Sequence, residues 1–404
     1  MPESAAPVES PLAFPFPPSE SIFHPPAVLN EQQRSRPTFP FRMADGRTGW
    51  AVTRYQDVRT VLVDPRFSRE QALRPDVPDT GLGQAAAGSI LGMDPPEHTR
   101  VRRLVAGAFT ARRVEALRPR AARIVGELID ELTTMPQPVD LIEHFSLPLP
   151  VQIICELLGV PAEDRHLFHQ WSDAVLGDLT RDPAVIGAAF AQLNAYFERL
   201  VALKRKNPAD DLMTALIEAR DEKDRLSEEE LVRLCQTVLV AGHETTANMI
   251  NLFLLNLHEY PDQLAHLEQH PEAIPQAVEE LMRFAQLGTG GVLIRVATEE
   301  VELGDVTIPA GGAVLALTII ANRDPDLLEN PDHLDVTRPA PAHLSFGAGV
   351  HHCLGAQLAR MELQEALRGL LTRLPGLRVD VPVEELSFKE GMILRSLHAL
   401  PVRW

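Results

Sequence analysis

The sequence predicts a mainly α-helical fold with a minor β region, and three observations carry that expectation. Apolar residues recur at intervals of three and four over most of the chain. Strand-like runs rich in branched residues cluster between Val292 and Val314, as LIRVA, VELGDVTIPAG and GAVLALTII. The last residues read as further short strands.

The opening segment, MPESAAPVESPLAFPFPP, is rich in Pro, Ser and Glu and lacks the basic and apolar regions of a signal peptide. Residues 1–20 are therefore expected to form a mobile arm. No Gly/Ser linker, charge block or internal repeat divides the remainder, so residues 21–404 are expected to form one domain. A short strand at Trp50–Thr53 leads into a helix that runs to about Val63 and stops before Pro65. Residues 70–93 mix Gly, Pro and Ala without period, an irregular connection of the kind that serves as a lid. Helices follow at about 97–108, 111–134, 142–158, 163–177 and 184–206. Asp210 and Ser227 read as N-caps. Ser227 opens a long helix to about His258, one face of which carries Leu231, Leu234, Val238, Ala241, Thr245, Asn248 and Leu252. A Pro-punctuated meander from Asp324 to Pro341 then precedes a glycine-rich loop and a helix over Leu354–Arg373.

Bulk properties narrow the function. The formal charge of −18 favours solubility and argues against general nucleic-acid affinity. No run approaches ~18 uninterrupted apolar residues, so no membrane span is expected. Cys155, Cys235 and Cys353 are odd in number and far apart, which fits a reducing cytoplasm rather than a disulfide framework. Against the acidic background, residues 100–123 carry Arg100, Arg102, Arg103, Arg112, Arg113, Arg118, Arg120 and Arg123 with Glu115 as the lone acid. This cluster is either a docking face for an acidic partner or an ordinary solvated helix face.

The sharpest signal is HLSFGAGVHHCLGAQLARMELQEAL. Gly347 and Gly349 can turn a loop through angles closed to other residues. Cys353 follows at the start of an amphipathic helix, where free N–H groups and the helix dipole favour a thiolate. Gly355 removes a side chain just beyond the sulfur, where a flat macrocycle would lie close. A lone cysteine is usually a small buried hydrophobe, and Cys155 and Cys235 are read that way.

The Phe-Gly-x-Gly-x-His-x-Cys-x-Gly spacing resembles that of the cytochrome P450 family, specifically its soluble bacterial members. The resemblance covers about residues 40–404. It implies haem b with Cys353 as axial thiolate ligand, lying between the long central helix and the helix after the cysteine loop. Phe346 would pack against the sulfur beside Gly347, and His351 would contact a haem propionate. Such a ligand pushes electron density onto iron and favours O–O cleavage.

Three further constellations join this loop. Glu280 and Arg283 in AVEELMRF lie at i and i+3 and can pair on one helix face; the resemblance implies a buried pair tied to Arg338 of DVTRP, supporting the haem pocket. Ala241-Gly242-His243-Glu244-Thr245-Thr246 has apolar flanks, which predicts a buried helix. Gly242 there can loosen the helix, and Thr245 can bond back to a carbonyl to open a groove. The resemblance makes that groove, at Ala241 and Gly242, an oxygen-binding one. Thr245 would hydrogen-bond dioxygen as it is activated, and Glu244 would help deliver protons through water. Many family members carry Asp at the position of Glu244. His98 and Arg102 of DPPEHTRVRRLV are one helical turn apart, and with Arg295 of LIRVA they would bind the haem propionates. One departure stands out: where many members place a proline, this chain has AQLGTGGVLIRV, and Thr289, Gly290 and Gly291 imply a roomier pocket wall.

The implied activity is insertion of one oxygen atom from dioxygen into a hydrophobic organic substrate in secondary-metabolite biosynthesis. Hydroxylation leads, with epoxidation and oxidative coupling open. No Gly-rich dinucleotide fingerprint is present, so electrons from NAD(P)H would arrive through a separate ferredoxin reductase and ferredoxin. Arg103, Arg112 and Arg113 are the expected docking residues. The substrate pocket is expected to draw on Leu176, Val238, Val292, Leu293, Ile294, Met392 and Ile393, a mostly apolar set. A cytoplasmic monomer completes the expectation. Two rivals remain at this point: a peroxide-driven haem peroxygenase, which would not need Glu244 and Thr245, and a non-catalytic haem-binding sensor or carrier.

Overall fold

Ser227 opens the longest helix by a reciprocal cap: its hydroxyl accepts the Glu230 N–H at 3.0 Å while the Glu230 carboxylate accepts the Ser227 N–H at 2.7 Å. That helix lies in a computed structural model that describes all residues except 1–9, 81–85, 165–166, 168–170, 172–182, 222–225, 289–292, 340–341 and 390–393. In chain order the helices are α1 (Ala27–Ser35), α2 (Tyr55–Val63), α3 (Glu97–Ala106), α4 (Ala111–Thr133), α5 (Pro148–Leu158), α6 (Pro183–Lys206), α7 (Leu212–Asp221), α8 (Glu228–Glu259), α9 (Pro261–Gln269), α10 (Ile274–Phe284), α11 (Thr318–Ala321) and α12 (Ala356–Arg373).

The strands gather in three small sheets. The largest runs β1 (Leu12–Phe14), β2 (Thr38–Met43), β3 (Thr48–Val52), β9 (Ala313–Ala316), β6 (Arg295–Ala297) and β4 (Phe67–Ser68) in spatial order. β10 (Arg378–Val379), β11 (Pro401–Arg403) and β5 (Val139–Asp140) form the second. β7 (Val301–Leu303) and β8 (Val306–Ile308) make a hairpin around Gly304, whose positive φ of 59° suits glycine. The mainly helical class with its strands near 292–316 is thus the observed one.

The differences from expectation have local causes. The N-terminal segment is not a loose arm throughout: β1 pairs in parallel with β2, and Phe16 is buried against Phe39 and Phe41. Its Phe14 and Phe16 carry enough apolar area to dock despite the surrounding prolines. The first cap of α7 is Asp211, whose carboxylate accepts the Thr214 N–H at 2.8 Å; Asp210 is exposed one residue too early. The expected helix over 142–158 splits into a π-type turn at Ile142–Ser146 and α5, because Pro148 and Pro150 lack N–H donors and fit only in a first turn. GAVLALTII ends as strand at Ala316 and turns into α11. Most of the expected helix at 163–177 lies outside the described residues.

α8 is the axis of the helical part, buried continuously from Thr246 to Leu257. Glycines let neighbours close on it and on α12. A Cβ at Gly242 would stand 2.9 Å from Ile154 of α5, and one at Gly369 would stand 2.3 Å from Val125 of α4. α10 carries the most deeply buried charges. Arg283 forks onto Glu280 with two hydrogen bonds of 2.8 Å, both side chains being fully buried. Its remaining N–H groups donate to the carbonyls of Asn322, Pro331 and His333, and Arg338 adds a 3.4 Å contact to Glu280. This knot ties α10 to the meander, and Arg323 doubles it by stacking 3.7 Å over the Phe284 ring.

Removing one partner of such a knot strands the other charge in the core. Arg283→Leu is expected to cost about 3–5 kcal/mol of stability, read as a fall in the denaturant midpoint; a loss below about 1 kcal/mol would contradict the role given to the pair.

Candidate functional site

The cysteine loop is built by its backbone. Gly347 and Gly349 hold positive φ angles of 67° and 70°. At Gly349 a Cβ would also lie 2.6 Å from the Leu62 carbonyl, so the glycine lets the loop press against the end of α2. Phe346 is buried, and its carbonyl accepts the Cys353 N–H at 2.8 Å, closing the loop. The sulfur therefore sits at the entrance to α12. Gly355 has φ −85°, open to any residue, and a Cβ there would meet no protein atom within 4 Å. Neither conformation nor protein packing explains that glycine, whereas a flat group lying over it does.

Cys353 is accessible, unlike Cys155 and Cys235, which are buried. Burial pushes the Cys235 thiol up to about 12. The Cys353 thiol is also raised by desolvation, but the Gly355 N–H and the charges of Arg102 and Arg360 pull it back down.

Basic groups converge beside it. The rings of His98 and His351 stand 4.3 Å apart, and His98 is 1% exposed. Both ring nitrogens of His98 and Nε2 of His351 are buried without a hydrogen-bond partner among the described residues. Desolvation, together with the charges of Arg295, His98, Arg69 and Arg102, drives the His351 imidazole down to about 3. Burial likewise lowers Arg295 to about 10 and Arg69 to about 9. Arg102 donates to the His352 carbonyl of the cysteine loop at 2.6 Å. Asp94, the acid felt by Arg69 and Arg295, is engaged with Ser68 and the Arg69 and Glu70 N–H groups. The cluster calls for an anion with more than one charge, and two propionates meet that demand.

On α8, Ala241 is exposed between buried Leu239 and His243. The Thr245 hydroxyl donates to the Ala241 carbonyl at 2.9 Å, and the helix runs unbroken through this point. The expected Thr245 back-bond is therefore present, and the bare side of Gly242 is turned to Ile154 of α5. Glu244 is buried, and one of its oxygens accepts from Asn248 at 3.2 Å and from Ser396 at 3.3 Å.

The expected pocket residues are split. Val238 is buried on the helix face that includes Ala241 and Thr245. Leu293 is partly buried, whereas Ile294 packs with Val296, Phe39 and Leu315 in the sheet core. Period-two alternation explains this: Ile294, just before β6, and Val296 within it point to one face, opposite Arg295. Leu176, Val292, Met392 and Ile393 lie outside the described residues. Of the basic stretch, Arg100, Arg118, Arg120 and Arg123 form ion pairs. Arg103, Arg112 and Arg113 are exposed and make no ion pair with the described residues.

Sequence reasoning missed Arg69, which donates to the Leu91 and Ile294 carbonyls, and Ser396, Glu279 and Arg360. Arg69 directly follows the two-residue strand Phe67–Ser68, which no pattern would single out. Glu279 was hidden beside the better-known Glu280, although the doubled acid of AVEELMRF was visible.

Known proteins share this arrangement. The sequence pattern of the family described as Cytochrome P450 matches residues 152–379. Nocardicin C N-oxygenase of Nocardia uniformis is 48% identical over 91% of this chain and 93% of its own. Mycinamicin IV hydroxylase/epoxidase of Micromonospora griseorubida is 48% identical over 93% and 94%. The crystal structure of the cytochrome P450 hydroxylase from the leinamycin pathway of Streptomyces atroolivaceus superposes with a TM-score of 0.91 at 42% identity, covering 97% of this chain and all of that one.

If the basic cluster holds two carboxylates, the dimethyl ester of haem should bind the apoprotein at least tenfold more weakly than haem itself, a difference of about 1.4 kcal/mol. Spectral titration measures both, and equal affinities would remove the propionate role.

Proposed function

The chain belongs to the cytochrome P450 family, and from that premise we propose how its residues perform monooxygenation and on what. It is a cytochrome P450 monooxygenase, and the family implies haem bound through a cysteine thiolate. The observation that carries the assignment to Cys353 is its exposed position at the start of α12, beside a basic cluster whose buried His98 and His351 nitrogens have no partner among the described residues. Haem b held there supplies the reductive activation of dioxygen and the transfer of one oxygen atom to an organic substrate.

The chain's own groups do the rest. Arg69, Arg102, Arg295, His98 and His351 hold the propionates and so fix the plane of the ring. Gly355 leaves room for that plane, and Phe346 shields the sulfur from water. Thr245, resting on the Ala241 carbonyl, presents its hydroxyl on the accessible stretch of α8, where it orients the proton donor. Glu244, anchored by Asn248 and Ser396, holds the carboxyl end of the proton path. The buried knot of Glu280, Arg283 and Arg338 supports the loop from beneath.

The substrate is a hydrophobic secondary metabolite of moderate to large size, contacted by Val238 and Leu293 and by the expected residues Leu176, Val292, Met392 and Ile393. Relatives named for acting on nocardicin C and mycinamicin IV support that class. Hydroxylation is the leading outcome, with epoxidation and coupling within the same chemistry. Electrons come from NAD(P)H through an external ferredoxin reductase and ferredoxin. Among the described residues no helix is long and apolar enough to cross a membrane, and we take the working protein to be a cytoplasmic monomer.

The decisive test is the absorption spectrum of the reduced, carbon-monoxide-bound protein. A strongly red-shifted Soret band is expected, and it should vanish in Cys353→His while haem stays bound. Retention of the band in that variant would overturn the assignment. The docking surface has its own test. Reversing Arg103, Arg112 and Arg113 to Glu should slow reduction by ferredoxin at least tenfold at low ionic strength, as lost steering does. Binding of spin-shifting ligands should be unchanged; an unaltered reduction rate would place the docking surface elsewhere.

A further inference from the structure

The two adjacent acids of AVEELMRF part company in the structure. Glu280 turns into the core, onto Arg283. Glu279 turns the other way, toward the cysteine loop. Its carboxylate grips Arg360 of α12 with two hydrogen bonds, 2.7 and 2.9 Å, and stands 3.1 Å from Nε2 of His343. The Arg360 guanidinium is laid 4.4 Å from the centre of the Phe346 ring. Phe346 is the residue whose carbonyl clamps the Cys353 N–H. A fixed cation thus lies on the ring of the residue that clamps the Cys353 backbone.

We propose that Glu279 and Arg360 are positioning residues that set the electron-donor strength of the Cys353 sulfur, and through it the reduction potential of the haem. Arg360 opposes the build-up of negative charge on the sulfur and so favours the reduced state; the carboxylate of Glu279 holds it in place and offsets part of its charge. The pair is partly buried, with side chains 23% and 19% exposed, so solvent screens it less than an ordinary surface pair. Its two-pronged geometry and its seat on an aromatic face also separate it from one. Potentials of metal centres are tuned by charges and hydrogen bonds around the ligand atom.

The inference rests on the haem-thiolate reading and is tested apart from it. Spectroelectrochemical titration of the substrate-free holoprotein gives the midpoint potential without any substrate or redox partner. Arg360→Met is expected to lower it and Glu279→Gln to raise it. Each shift should correspond to a roughly threefold to tenfold change in the reduced-to-oxidised ratio at fixed poise, tenfold being 59 mV for one electron. An unchanged or raised midpoint in Arg360→Met overturns the proposal, as does an unchanged or lowered one in Glu279→Gln. The second variant decides alone if the first fails to retain haem. A parent protein without the red-shifted carbon-monoxide band rejects the haem-thiolate reading instead. Intact bands with immobile potentials reject only the tuning.

Discussion

Three guanidinium groups and two imidazoles around one small internal space impose the constraint on which the site depends. The charges of Arg69, Arg102 and Arg295 converge on His98 and His351, whose imidazoles burial and those same charges hold toward the neutral form, and Asp94 is already engaged with Ser68 and backbone N–H groups. Uncompensated buried charge is costly, so the fold holds an arrangement whose favourable state includes an anion. The segments that supply these residues are far apart in the chain: the bend after β4, α3, β6 and the cysteine loop. Binding a dianionic ring would neutralise the repulsion and lock those elements together, which couples cofactor loading to stability.

The protein side of that coupling is the packing that needs no ligand. The Phe346 carbonyl on the Cys353 N–H and the press of Gly349 on α2 hold the loop directly, and the Glu280–Arg283 knot reaches it through Asn322, which accepts from Arg283 and bonds Leu344 and Ser345. On the other side, α8 passes the site unbroken, held to α5 by the absence of a side chain at Gly242. The sulfur and the hydroxyl of Thr245 are therefore mounted on packed supports.

Much of this was legible in the sequence because local chemistry and global fold agree. Ser227 and Glu230 announced the start of α8, and the glycine spacing before Cys353 announced a loop that other residues could not form. Legibility failed where the deciding partner is distant in sequence. Nothing in LAFPF says that β2 waits to pair with it. Nothing near Gly242 names Ile154, and Ile294 reads as pocket wall until the pleat of β6 assigns it to the other face. Arg69 and Ser396 joined the candidate site only through tertiary contacts with Asp94 and Glu244. Periodicity reports which face is apolar, but not what that face will meet.

The short strand β1 has a consequence beyond the site. The six-stranded sheet would otherwise end at β2, a six-residue strand with Phe39 and Phe41 on its buried side. Exposed edges of that kind recruit other chains by backbone pairing. β1 occupies this edge, and Phe14 and Phe16 cover the two aromatic rings behind it. The proline-rich leader thus works as a built-in guard against self-association: Pro15, Pro17 and Pro18, which cannot donate to a neighbour, stand beside the strand that shields the fold.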